Sequence, residues 1–406
     1  MAGGGRARSG PEHRRAHHRR GRHRRGYGRR VRVLIAPDDF KGTLTAVEAA
    51  DAIAAGWRSA APQDELTLLP LSDGGPGFVS AIDRGTSQRG EHIVVTVRGP
   101  LGEPVPAEIL VVDGTAYVES AQACGLHLIS EQRRDPAITS TYGVGELILA
   151  AIEARAGVRR IVIGLGGSGT TDGGAGMLAA LGAQAWDAEG NVAPLDRGGA
   201  MLASVERIDL APALACTAGV EIIAASDVDA PLLGPEGAAH GYAPQKGADA
   251  HGVADLERAL TRFAHATGGD AEADGAGAAG GLGYGLLLLG ARRAPGIATV
   301  AEAVGLDASI AACDLVITGE GCCDWQSLRG KVVSGVAAAA LVQARPAVVI
   351  AGRVLVGRRE LAAIGVTEAY AIDEGQAPPG QALQRCSARV AGQWSRGGTG
   401  PVQHPG

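Results

Sequence analysis

Short apolar runs recur along this chain, and each is followed at once by a turn rich in glycine and aspartate. The runs are VRVLIAP (31–37), LTLLPLS (66–72), RIVIGLG (160–166), VEIIAASDV (220–228), DLVITGEG (314–321), AVVIAG (347–352) and EAYAID (368–373). They are too short to span a membrane. They read as strands, VRVLIAP as a buried one. Helical periodicity fills the gaps at 45–59, 142–154, 174–181, 253–266, 278–292, 332–342 and 382–394. Thr45 and Glu48 have the spacing of a capping box at the first of these. Alternation of this kind predicts the α/β class. Between His92 and Ser120 it fails: IVVTVRG, AEILVVD and TAYVES follow one another with no helix between them. This predicts a second, mixed layer, and 406 residues suit two domains.

Charge narrows the function classes. Residues 1–30 contain eleven Arg and one Glu, while the whole chain carries a net charge of −5. The body is therefore acidic, which argues against a nucleic-acid-binding face. The tail lacks any apolar periodicity and is expected to be disordered; the polar end, 396–406, is expected to be the same. No secretory leader is legible, and the six cysteines form no CxxC pair, so the reading is of a cytoplasmic protein with reduced thiols and no membrane partner. Only three lysines occur, Lys41, Lys246 and Lys331, each beside a glycine. A compact ammonium serves a phosphate or carboxylate pocket where the planar fork of Arg does not fit.

Five turns share one plan: APDDFKGT (36–43), SDGGPG (72–77), GLGGSGTTDGGAG (164–176), SDVDAPLLG (226–234) and TGEGCCDW (318–325). In an open α/β sheet ligands bind beyond the carboxyl ends of the strands. Glycine there lets amides approach an anion, and the next helix adds its positive end. Carboxylates beside such a cradle make sense when Mg²⁺ bridges them to phosphates, or when one acts as a base. Asp38, Asp73, Asp172, Asp227, Glu320 and Asp324 therefore point to nucleotide-dependent phosphoryl transfer. No GxxxxGK[ST] is present, which excludes a P-loop kinase. GLGGSG (164–169), with Asp187 about twenty residues on, also fits the dinucleotide fingerprint, so an NAD-dependent dehydrogenase is the rival reading. Against it, Asp172 would face the pyrophosphate and no His stands at a strand-end turn.

The segments APDDFKGTLTAVEAA, PLSDGGPG, TSTYGVGELI, IGLGGSGTTDGGAGM, SDVDAPLLGPEGA, PQKGA, GAGAAGGLGYG and DLVITGEGCCDWQSLRGKVVSGVA together resemble the bacterial glycerate kinases, in order, over about 31–373. The resemblance implies ATP- and Mg²⁺-dependent phosphorylation of D-glycerate, on the 2-hydroxyl. It also implies two α/β domains: a Rossmann-like one from 31–75 plus 290–395, split by an inserted one at 76–289, with the active site in the cleft. This sequence departs from the family's pattern at Pro76, where Glu is common, at Thr171, where Asn is common, and at the Cys322–Cys323 pair. A non-catalytic, metabolite-binding relative is thus a third reading.

Roles follow from what the transfer needs. Lys41 is the first choice for glycerate's carboxylate or the moving phosphoryl group. Asp73, Asp172 and Asp227 are candidates for base or metal ligand, with Glu320 and Asp324 as further metal ligands. Asp38, Gln245 and Lys246 are expected at the substrate. Gly166, Gly167, Ser168 and Thr170, with Gly319 and Glu320, are expected at the ATP phosphates.

Overall fold

The computed structural model describes residues 30–87, 89–154, 157–372 and 377–395. Apart from Arg30, both expected tails lie outside the described residues. Strands Glu65–Leu68, Arg32–Ile35, Leu315–Thr318, Ala347–Ala351 and Val366–Ala371 lie side by side in that order, all parallel. Numbered along the chain, the order is 2-1-3-4-5. This is the flavodoxin-like doubly wound order, and its switch point falls between Arg32–Ile35 and Leu315–Thr318.

Alternate residues divide between the faces, as a strand's twofold period demands. Val33, Ile35, Leu315, Ile317, Val348 and Ile350 pack beneath helices Ala46–Ala60 and Pro379–Trp394. The first of these helices opens on the expected capping box: the Glu48 amide donates to Thr45 Oγ1 and the Thr45 amide to Glu48 Oε2, at 3.2 and 2.8 Å. Trp57 is fully buried there and donates its indole N–H to Asp64.

A second sheet carries strands Arg292–Ala294, Glu221–Ala225, Arg160–Gly164, Thr115–Glu119, Pro104–Val112 and Glu91–Arg98. The first four are parallel and the last two antiparallel, which accounts for the helix-free stretch after His92. One apolar layer joins the two sheets. Leu34, Val316 and Val349 contribute to it from the first, Val162, Ile223 and Ala225 from the second. Helices Phe78–Gly85, Gly296–Val304, Leu306–Ala312 and Val332–Val342 fill the space between. Each fully buried Val, Leu or Ile in this layer adds about 1.5–3 kcal/mol.

Two expectations shift. Arg292–Ala294 was expected with the first unit, but it pairs with Glu221–Ala225 of the second sheet. Three residues, two of them Arg, carry no strand signature. The glycine-led helix at 278–292 ends earlier, at Leu288, and turns through left-handed backbone at Ala279, Gly280 and Gly281. Among the described residues no helix is long and apolar enough to cross a membrane.

Candidate active site

The five acidic and glycine-rich turns form one contiguous surface at the carboxyl ends of both sheets. Backbone contacts link them in series. The Asp38 amide donates to the Gly319 carbonyl at 2.8 Å, and the Leu71 amide to the Pro37 carbonyl at 2.9 Å. Gly74 has φ +99°, and a Cβ on it would stand 2.7 Å from the Ala225 carbonyl oxygen. A Cβ on Gly166 would stand 2.6 Å from the Gly75 Cα. Glycine at these two positions lets turns from different sheets touch.

Around the switch point the carboxylates crowd each other. Burial holds the Asp38 carboxyl well above its usual range, and Asp73, Asp39 and Glu320 push it the same way. Burial also raises Asp39, with Lys41 opposing and Asp73 adding to the rise. Glu320 is raised by burial, against the hydroxyl of Ser327 and the ammonium groups of Lys331 and Lys41, and among the described residues its Oε1 is buried without a partner. From the second sheet, Asp227 accepts the amides of Gly296 and Ile297 at 2.9 and 3.3 Å. Burial still pushes its carboxyl up to about 6, against those amides, and Asp73 reinforces the shift. Among the described residues, Asp73 itself accepts only the Gly75 amide, at 3.2 Å. Lys41 is exposed at the rim.

The turn after Arg160–Gly164 is built differently. Asp172 is fully buried and accepts four hydrogen bonds: from Gly174 N–H on Oδ1, and from Thr141 N–H, Thr141 Oγ1–H and Gly176 N–H on Oδ2. Burial raises this carboxyl, and those donors lower it. Lys246, in the turn Pro244–Lys246, is 2% exposed and donates to Ser168 Oγ at 3.0 Å and the Thr170 carbonyl at 2.6 Å. Gly166 and Gly167 lie nearer solvent, and among the described residues their amides carry no intrachain hydrogen bond.

Helix N-termini decide where an anion can sit. Glu119 accepts the amides of Gly77 and Val79 at the start of Phe78–Gly85. Asp227 fills the same place on Gly296–Val304 and Asp172 on Ala175–Ala180. Helix Val332–Val342 has no side-chain cap and no acid in its first turn, and it starts on Lys331. It follows the Gly319–Glu320 turn, and among the described residues no side chain caps its positive end.

The structure therefore regroups the expected residues. Asp38, Asp73, Asp227, Glu320 and Lys41 converge with Gly319. Asp324 sits beside Glu320, its carboxylate accepting the Gln326 amide at 2.8 Å. Asp172 stands apart and enclosed, so the expected metal trio of Asp172, Glu320 and Asp324 is not assembled. Gln245 is exposed and Lys246 faces inward, so this turn does not present both to one ligand. Ser168 and Thr170 are buried and engaged by Lys246. Asp187 binds Asn191 in a hairpin outside the sheet, which removes the ribose-binding acid of the dehydrogenase reading. Sequence reasoning missed Asp39 and Glu119, and left Lys331 unassigned. The Asp pair at 38–39 and the acid ending TAYVE were their only signals.

Among the described residues no three His, Cys, Asp or Glu are grouped to hold a metal by themselves. Mg²⁺ needs only one or two carboxylates when phosphates complete its shell. The unpartnered Glu320 Oε1, with Asp38 close by, fits that requirement.

Comparison with known proteins agrees with this architecture. The model of the glycerate kinase family matches residues 33–395. An uncharacterized protein of Mycobacterium tuberculosis is 44% identical over 353 residues, covering 85% of this chain and 84% of its own. The glycerate 2-kinase of Escherichia coli is 42% identical over 330 residues, covering 79% and 85%. A Salmonella typhimurium LT2 crystal structure, provisionally designated glycerate kinase 2, superposes with a TM-score of 0.75 at 38% identity, covering 89% of this chain and 97% of that one. A match this long, joined to strand-end turns that bring one group of carboxylates together, places the chain in the glycerate kinase family.

Proposed function

We propose that the strand-end turns at the carboxyl ends of the two sheets form the site that transfers the γ-phosphoryl group of ATP to the 2-hydroxyl of D-glycerate. The observation that carries this reading is the meeting of Asp38, Asp39, Glu320, Lys41 and Lys331 at the switch point with Asp73 and Asp227 from the adjoining turns. We take 31–75 plus 295–395 as the nucleotide-binding unit and 76–294 as the inserted, acid-binding one.

The phosphates are assigned to the open N-terminus of Val332–Val342, to Lys331 and to Lys41. Glu320 and Asp38 are the carboxylates that would hold Mg²⁺, which neutralises phosphate charge when bound. Glycerate lies toward Asp73, Asp227 and the free amides of Gly166 and Gly167, which suit its carboxylate. The 2-hydroxyl oxygen attacks the γ-phosphorus as the bond to the β–γ bridging oxygen breaks. The hydroxyl proton passes to Asp227, whose carboxyl near 6 is ionised at neutral pH yet basic enough to accept it. Two backbone amides fix the orientation of that carboxylate. The placement of six unpaired thiols supports a cytoplasmic setting.

A coupled assay with D-glycerate and MgATP tests the reading. ADP should appear in step with 2-phosphoglycerate, identified by phosphorus NMR. No ADP release across a panel of three-carbon hydroxy acids would contradict it.

A further inference from the structure

Lys246 is the lysine this reaction leaves without a task. Its ammonium group is closed off on every side the structure shows. Ser168 Oγ and the Thr170 carbonyl accept from it. Beside the Thr170 carbonyl, Gly280 has φ +71°, and a Cβ there would come within 1.9 Å of that oxygen and 2.9 Å of the Lys246 Nζ. Cys124 and Asp172 are the titratable groups around it. Cys124 is fully buried, its thiol pushed up to about 12, so it stays neutral. Asp172 has both oxygens bound to Thr141, Gly174 and Gly176, so it balances the charge without a direct bond.

Burying an ammonium is costly unless its hydrogen bonds are made. The bonds made here are both to one turn, the turn that presents Gly166 and Gly167. We propose that Lys246 is a positioning residue: it touches neither substrate, and it cross-links Ser168 to Thr170 so that the Gly166 and Gly167 amides face the acid substrate. The 137–141 segment braces the same turn from outside, with Thr139 Oγ1 donating to the Gly169 carbonyl at 2.9 Å. The inference rests on the reading that this turn serves glycerate and not the nucleotide.

A double-mutant cycle separates the two ideas. Lys246→Met, Ser168→Ala and the double variant are compared in steady-state kinetics, varying ATP and D-glycerate independently. Lys246→Met should lower kcat/KM for glycerate at least about twentyfold, with the KM for ATP held within about threefold. The double variant should fall no more than about threefold below Lys246→Met, because both changes cut the same link. Losses that multiply would show Lys246 acting independently of Ser168 and would overturn the proposal. Non-additive losses that fall on the KM for ATP would leave the cross-link standing and overturn the glycerate assignment of the turn. Should Lys246→Met fail to fold, reductive methylation of the native protein decides. Lys41 and Lys331 should be modified and protected by MgATP, while Lys246 stays unmodified with or without substrates. Methylation of Lys246 that glycerate blocks would contradict the proposal.

Discussion

Two turns in this protein share the tripeptide Asp-Gly-Gly, at 73–75 and 172–174, and the fold uses them in opposite ways. Asp172 is fully buried and satisfied by four donors. Asp73 accepts one amide and adds its charge to a crowd that includes Asp38, Asp39 and Asp227. A carboxylate whose two oxygens are both held by donors keeps a loop in shape. Like charges crowded at one place are destabilising until a cation or a transferable proton arrives, and that is what a phosphoryl-transfer site uses. The two turns differ in what surrounds them, not in what they are made of.

The comparison breaks most sharply at Asp38. Asp38→Asn removes a buried negative charge from the crowd but keeps an oxygen for the Asp39 amide, which Asp38 Oδ1 accepts at 2.8 Å. Turnover should fall by about 10²-fold or more, while thermal melting stays level or rises. A fall in melting temperature matched to the loss of activity would show that Asp38 is structural.

A smaller effect sharpens the acid–base assignment. The folded value of Asp227, about 6, lies above its unfolded one, so the folded chain binds this proton more tightly. Its contribution to stability is present below the unfolded value and is lost as pH rises through 6. Activity should move the other way. Below pH 6 the base is protonated, and kcat/KM should fall about tenfold per pH unit. In Asp227→Asn the profile should lie low and flat across this range. An unchanged acid limb in that variant would assign the proton to another group.

Much of the architecture was legible because the central parallel strands are continuous apolar runs, and every run named in the sequence became a strand, the half-exposed edge strands Glu65–Leu68 and Val366–Ala371 included. The convergence of the turns was legible too, since strand ends in a doubly wound sheet share one edge. Other features depended on tertiary neighbours. Helices Phe78–Gly85 and Gly296–Val304 are short, and their starts are capped by Glu119 and Asp227, far away in sequence, so no local capping signal marks them. Arg292–Ala294 owes its strand conformation to Glu221–Ala225. Lys246 looked like a ligand-binding lysine because it sits beside a glycine, but only packing reveals that it faces Ser168 and Thr170. Asp172 and Asp73 could not be told apart from their tripeptides, because what separates them is Thr141, thirty-one residues upstream of Asp172.

The most direct measurement is therefore a paired one, recording turnover and thermal melting for Asp73→Asn and Asp172→Asn under identical conditions. Asp73→Asn should lose about 10²-fold or more in turnover and keep its melting temperature within about 2 °C. Asp172→Asn should lose about 3 kcal/mol of stability, because the new NH2 group would face N–H or O–H donors that the carboxylate oxygens now accept from. An unstable Asp73 variant beside a stable, inactive Asp172 variant would contradict the division of labour between the two turns.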